Sequence, residues 1–122
     1  MENENRLTDK FHDFIITEPY PYFLYIHNTE GIFTFVSENI AELLGHSTES
    51  FQKHYFSSLT ESSINKYVIA HTEQSIQGKQ QEPYLVEMYD TQMKPRLLKV
   101  YETPIVDETG IIGVEGVAKV LS

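Results

Sequence analysis

Apolar residues at Leu7, Phe11, Phe14 and Ile15 recur at i, i+4, i+7 and i+8, which predicts a helix over 7–16 with one apolar face. Residues 1–5 are polar and are expected to fray, and Pro19 ends the helix because it cannot continue one. Pro19-Tyr20-Pro21 reads as a stiff extended connector. Phe23 to Ile26 and Ile32 to Val36 are rich in β-branched and aromatic residues, and Asn28-Thr29-Glu30-Gly31 supplies turn chemistry between them, so a hairpin is predicted. Both strands are almost continuously apolar, the mark of a strand covered on two faces. One cover is the core. The other is the helix over 7–16 or a partner subunit.

Ser37 or Asn39 caps a short helix, Ile40 to Leu44, that Gly45 stops. Ser47 to Ser50 offers a cap before a helical turn over 51–56. A longer helix is predicted from about Ile64 to Ile76, ending at Gly78, with Ile64, Tyr67, Val68 and His71 as its stripe. From Pro83 the period changes to two. Strands are predicted over 84–89, 96–105 and 111–121, joined by turns at Asp90 to Pro95 and Asp107 to Gly110. In the last strand Ile112, Val114, Gly116, Ala118 and Val120 share one face, with Glu115 and Lys119 on the other. Strands on either side of one helical insertion, with no internal repeat or linker, define an α+β domain of mostly antiparallel sheet.

Composition narrows the function. The 122 residues suffice for one domain burying about two thirds of its unfolded surface. A formal charge of −9, from 18 acidic against 9 basic side chains, argues against nucleic acid and anionic membrane surfaces as partners. No cysteine is present, which removes disulfides, thiolate nucleophiles and thiolate metal sites. No leader and no apolar run of about 18 residues is visible, so a soluble cytoplasmic domain is expected.

Four stretches carry a resemblance. NTEGIFTFVS matches a strand-turn-strand opening with a glycine before the second strand, and IAELLGHSTESF a short helix closed by Leu-Gly-His-Ser. IQGKQQEPYLVEM matches a helix ending in Gly-Lys before a strand, and PIVDETGIIGVEGVAKVLS a Pro-x-x-Asp-x-x-Gly turn followed by a Gly-x-x-Gly strand. Together, over about Tyr22 to Ser122, they resemble the PAS family of sensory modules. Ser37 stands where the family often has asparagine, and Val120-Leu121-Ser122 replaces its terminal Asp-Ile-Thr. The resemblance implies a PAS fold: a five-stranded antiparallel sheet, short helices clustered on one face, and residues 1–18 as an N-terminal flanking helix beside a PAS domain over 19–122. It implies a non-catalytic sensory module, excised from a longer signalling protein, that regulates a C-terminal effector such as a histidine kinase or cyclic-dinucleotide enzyme. A homodimer through the N-terminal helix and outer sheet face is the expected assembly.

Candidate site residues follow from parity. Phe33, Phe35, Ser37, Leu44, Val68, His71, Val86, Met88 and Val100 are expected to face an internal volume, either filled by side chains or open to a small ligand. Haem is a candidate cofactor through His71, because haem-binding members take their axial histidine from the same helix. Flavin is disfavoured, since the adduct-forming subgroup requires a cysteine. His12, His27, His46, His54 and His71 lack metal-ligand spacing, and His46 reads as a surface turn residue. A small α+β enzyme is the remaining alternative, with Asp107-Glu108 as its only adjacent acids.

Overall fold

The computed structural model describes residues 2–122, apart from the side chain of Phe56. The elements in order are α1 (Glu2–Lys10), α2 (His12–Thr17), β1 (Tyr22–His27), β2 (Phe33–Val36), α3 (Ile40–Leu44), α4 (Thr48–Phe51), 3-10 turns at Tyr55–Ser58 and Ser63–Tyr67, α5 (Val68–Ile76), β3 (Tyr84–Tyr89), β4 (Pro95–Asp107) and β5 (Gly110–Val120). The strands form one antiparallel sheet in the order β2-β1-β5-β4-β3. This five-stranded α+β arrangement is the one the sequence predicts.

The sheet is covered twice. On its inner face, Phe23, Tyr25, Phe33, Val36, Leu98 and Ala118 pack with Ile40, Leu44, Phe51 and Val68 from the helical segment. On its outer face, Leu7 and Phe11 of the N-terminal segment pack on Leu24 and Val117, with Phe14, Ile15 and Tyr101 at the margin. The two covers explain why β1 lacks polar alternation.

Helix boundaries depart from the pattern in three places. The first helix begins at Glu2, within the stretch 1–5 expected to fray, and it divides at Phe11, whose backbone (φ −102°, ψ 16°) leaves helical geometry. Ser47 caps α4 by accepting from the Ser50 amide at 3.1 Å, so the helix is Thr48–Phe51 and not 51–56. Residues 63–67 form a 3-10 turn, which leaves Ile64 and Tyr67 exposed; the buried face of α5 is Val68, Thr72 and Ser75 instead. A 3-10 turn advances three residues per turn, so the stripe cannot carry across the junction.

Two bulges decide parity. Ile26 pairs with Phe35 but the next residue, His27, pairs with Phe33, so β2 spends an extra residue at Thr34. Phe33 therefore points into the core while Phe35 lies among the outer-face residues, correcting the expectation that they share a face. Likewise Ile105 pairs with Gly113 and Val106 with Ile111, which leaves Ile112 unpaired and 46% exposed, off the face it was expected to share.

The outer face also holds charge. Glu115 receives Arg6 at 2.7 Å and Lys10 at 2.5 Å. Lys119 is fully buried, with its Nζ 4.3 Å above the Phe14 ring and 3.9 Å from Glu18, and it makes no hydrogen bond among the described residues. Burial, and then the neighbouring Lys99, holds the Lys119 ammonium below its usual pKa against the pull of Glu18. The unfolded chain thus binds the proton more tightly than the folded one, so this lysine costs stability at neutral pH and costs less as pH rises towards about 10.4. Lys119→Met is expected to raise the unfolding free energy by about 1–2 kcal/mol at pH 7. Its advantage should be smaller at pH 9.5 in urea titrations. A constant or growing advantage contradicts the account.

Candidate functional site: a carboxylate in an aromatic cavity

Between the inner sheet face and the helices lies a cavity of about 50 Å³. Phe23, Tyr25 and Phe33 wall it from β1 and β2, Val86, Met88 and Val100 from β3 and β4, and Phe51, Val68 and Thr72 from the helices. The strands contribute alternate residues, as a pleated surface requires.

One wall is polar. Glu102 of β4 is only 2% exposed, continuing the inward face of Leu98 and Val100. The Tyr25 hydroxyl donates to its Oε1 at 2.5 Å and the Ser75 hydroxyl to its Oε2 at 2.9 Å. The Tyr84 hydroxyl interacts with both Glu102 and Thr72. Burial, followed by the charge of Glu102, raises the Tyr25 and Tyr84 phenols well above their usual pKa. Burial also raises Tyr55, at the cavity wall. The phenols around Glu102 therefore remain protonated at neutral pH and serve as donors. His27, buried with its Nδ1 2.9 Å from the Asn28 carbonyl, stacks between the Tyr25 and Tyr55 rings at 6.3 Å from each.

The absence of a side chain at Gly116 makes this arrangement possible. A Cβ there would lie 2.6 Å from the Tyr25 phenol and 2.9 Å from the Glu102 Cβ. Gly113, the first glycine of the Gly-x-x-Gly pattern, instead admits the His27 carbonyl, 2.6 Å from where its Cβ would stand.

Of the nine residues expected at the internal volume, Phe33, Val68, Val86, Met88 and Val100 line the cavity. Leu44 belongs to the same apolar cluster but not to the cavity wall, and Phe35 lies on the outer face. Ser37 is a corner residue: its hydroxyl accepts from the Leu24 amide at 2.9 Å and donates to Asn39 at 2.7 Å, while Asn39 donates to the Tyr22 carbonyl at 2.6 Å. His71 lies outside the cavity, beside a surface groove with Ile64, Tyr67 and Leu85. Its Nδ1 is 2.8 Å from the Gln81 side-chain oxygen, and its ring stacks on Tyr84 at 4.5 Å. These residues do not fit haem: the cavity is far smaller than a macrocycle, and His71 does not face it.

Elsewhere, His46 is half-buried and edge-on to Phe51, with burial lowering its pKa. Asp107 closes the β4–β5 turn by accepting from the Thr109 hydroxyl and amide, which lower its carboxyl pKa. Among the described residues no three His, Cys, Asp or Glu side chains converge as a metal site, and no helix is long and apolar enough to cross a membrane.

No family model matches the chain, and no curated protein sequence matches it. Among solved structures, it superposes with a TM-score of 0.65 and 13% identity on a domain described as that of a light and redox sensing histidine kinase from Haloarcula marismortui. The superposition covers 91% of this chain and 98% of that one. The fold is PAS-like. In this PAS-like fold the helical segment and sheet enclose the Glu102 cavity, and the N-terminal helices occupy the opposite face.

Proposed function

We propose that the chain is a PAS-family sensory module, without catalytic activity of its own, that couples a small ligand in the Glu102 cavity to its N-terminal helices. The observation that carries this reading is the pair Tyr101-Glu102. Glu102 holds the cavity hydroxyls, while its neighbour Tyr101 points the other way and packs edge-on against Phe11 at 5.7 Å and against Phe14 at 5.4 Å. Gly116 and Val117 repeat the arrangement on β5, with Gly116 beneath Tyr25 and Val117 in the outer cluster with Leu7. A displacement of these strands by an occupant changes the floor on which α1 and α2 rest, which is how a packed element is biased between two arrangements. The four sequence stretches and the fold of a histidine-kinase domain support the reading. The effector in it is a histidine kinase or cyclic-dinucleotide enzyme.

Hydrogen exchange tests the coupling. Glu102→Gln, altered only inside the cavity, is expected to change amide protection in residues 2–17 as well as around Tyr25. Protection that changes in the cavity alone would reject the coupling.

The same reading makes the module a homodimer whose contact includes the N-terminal helices. Ile16, 63% exposed on α2, supplies an apolar side chain for that contact. Ile16→Glu is expected to shift the solution mass by light scattering from dimer to monomer with an unchanged circular dichroism spectrum. A mass unaffected by the substitution removes these helices from the contact.

A further inference from the structure

Glu102 is a buried carboxyl group that no cationic side chain meets. Its donors are the hydroxyls of Tyr25 and Ser75, with the Tyr84 phenol close by, and among the described residues it forms no ion pair with lysine, arginine or histidine. The contrast with Glu115 is direct, because that buried carboxylate is met by both Arg6 and Lys10. Hydroxyl donors satisfy lone pairs but bring no opposite charge, and a buried carboxyl group is stabilised as the anion only when a cation comes beside it. The surrounding walls are the rings of Phe23, Phe33, Phe51, Tyr55 and Tyr84, whose π faces attract cations. A net charge of −9 adds a field that concentrates cations near the molecule.

Resting on the sensory reading, we propose that the ligand of this cavity is a small organic ammonium ion, its nitrogen against Glu102 and its alkyl part against the rings. The size of the cavity limits the alkyl part. An apolar cavity of about 150 Å³ accepts benzene with its six heavy atoms, so the 50 Å³ here suits a primary amine of two or three heavy atoms without rearrangement. Anions are opposed by the carboxylate, and neutral molecules of equal size gain nothing from it.

Methylammonium is the probe. In a two-dimensional amide NMR titration of the full chain at constant ionic strength, methylammonium chloride is expected to give saturable shifts at Tyr25, Ser75 and Glu102 in the millimolar range, the range that so few heavy atoms allow. Methanol and sodium formate, of two and three heavy atoms but neutral and anionic, should bind at least about tenfold more weakly. Glu102→Gln should weaken methylammonium by at least about tenfold as well. The probe comparison needs no variant, so it decides even if that substitution disturbs folding. Absence of saturation, equal response to methanol, or binding that survives in a folded Glu102→Gln protein overturns the ammonium proposal. None of those results touches the coupling between cavity and helices, which the exchange experiment reads separately.

Discussion

Phe23→Ala is expected to lower the unfolding free energy by about 3–5 kcal/mol in urea titrations, among the largest losses available to a single side chain in this protein. Phe23 is 2% exposed and packs edge-on against Phe51 with ring centroids 5.8 Å apart. It already borders the 50 Å³ cavity. Removing the ring therefore joins its vacated space to an existing void, and the surrounding sheet, pinned by pairing with β5, has little freedom to collapse into it. Phe35→Ala makes the comparison. Because the bulge at Thr34 turns Phe35 to the half-buried outer face, its truncation should cost clearly less. Equal losses for the two phenylalanines would contradict the register described for β1 and β2.

The second large effect is expected at Gly116. Its alanine variant places a methyl group within 2.6 Å of the Tyr25 ring, which cannot stay where it is. Displacing that ring breaks the Tyr25–Glu102 hydrogen bond and leaves a buried carboxylate short of one donor. Overpacking alone costs about 1–3 kcal/mol, and the lost donor adds about 1–3 kcal/mol. The total should exceed that of Gly110→Ala, where a Cβ meets nothing within 4 Å and only the positive φ of 119° is strained. Urea titration gives the stabilities. Ultraviolet titration gives a second readout, since a Tyr25 phenol displaced from its burial and from Glu102 ionises at lower pH than it does in the native protein.

The order of elements was legible because each announces itself locally: Pro19 stops a helix, Gly45 ends another with φ 83°, and Asp107 with Gly110 makes a hairpin turn. Side-chain direction was legible only where strands are regular. Val86, Met88 and Val100 follow strict alternation and line the cavity as expected. Phe35 fails because a bulge leaves no trace in the apolar pattern, Thr34 being as ordinary in a strand as in a bulge. The α5 stripe fails because the helix is α-helical only from Val68, and its buried positions then include the hydroxyls Thr72 and Ser75. Polar residues at such positions read as solvent-facing until a partner is found. That partner was within reach: Val100 is expected to face the internal volume, and the next residue of that parity is Glu102. A glutamate on an inward face is a signal that parity provides and composition hides.

The strand order has a consequence for how the chain acquires its structure. β5, the last strand in sequence, is the central one, and its partner β1 is the first, with Tyr22 opposite Lys119. Until β5 emerges during synthesis, β1 with β2 and β3 with β4 are separate hairpins with unpaired edges, and α1 lacks Glu115 and Val117 as its floor. Closing the middle of the sheet means joining nearly the whole chain length in one step, the kind of non-local pairing that slows folding and exposes strand edges meanwhile. The N-terminal helices, first to be made, are therefore last to dock.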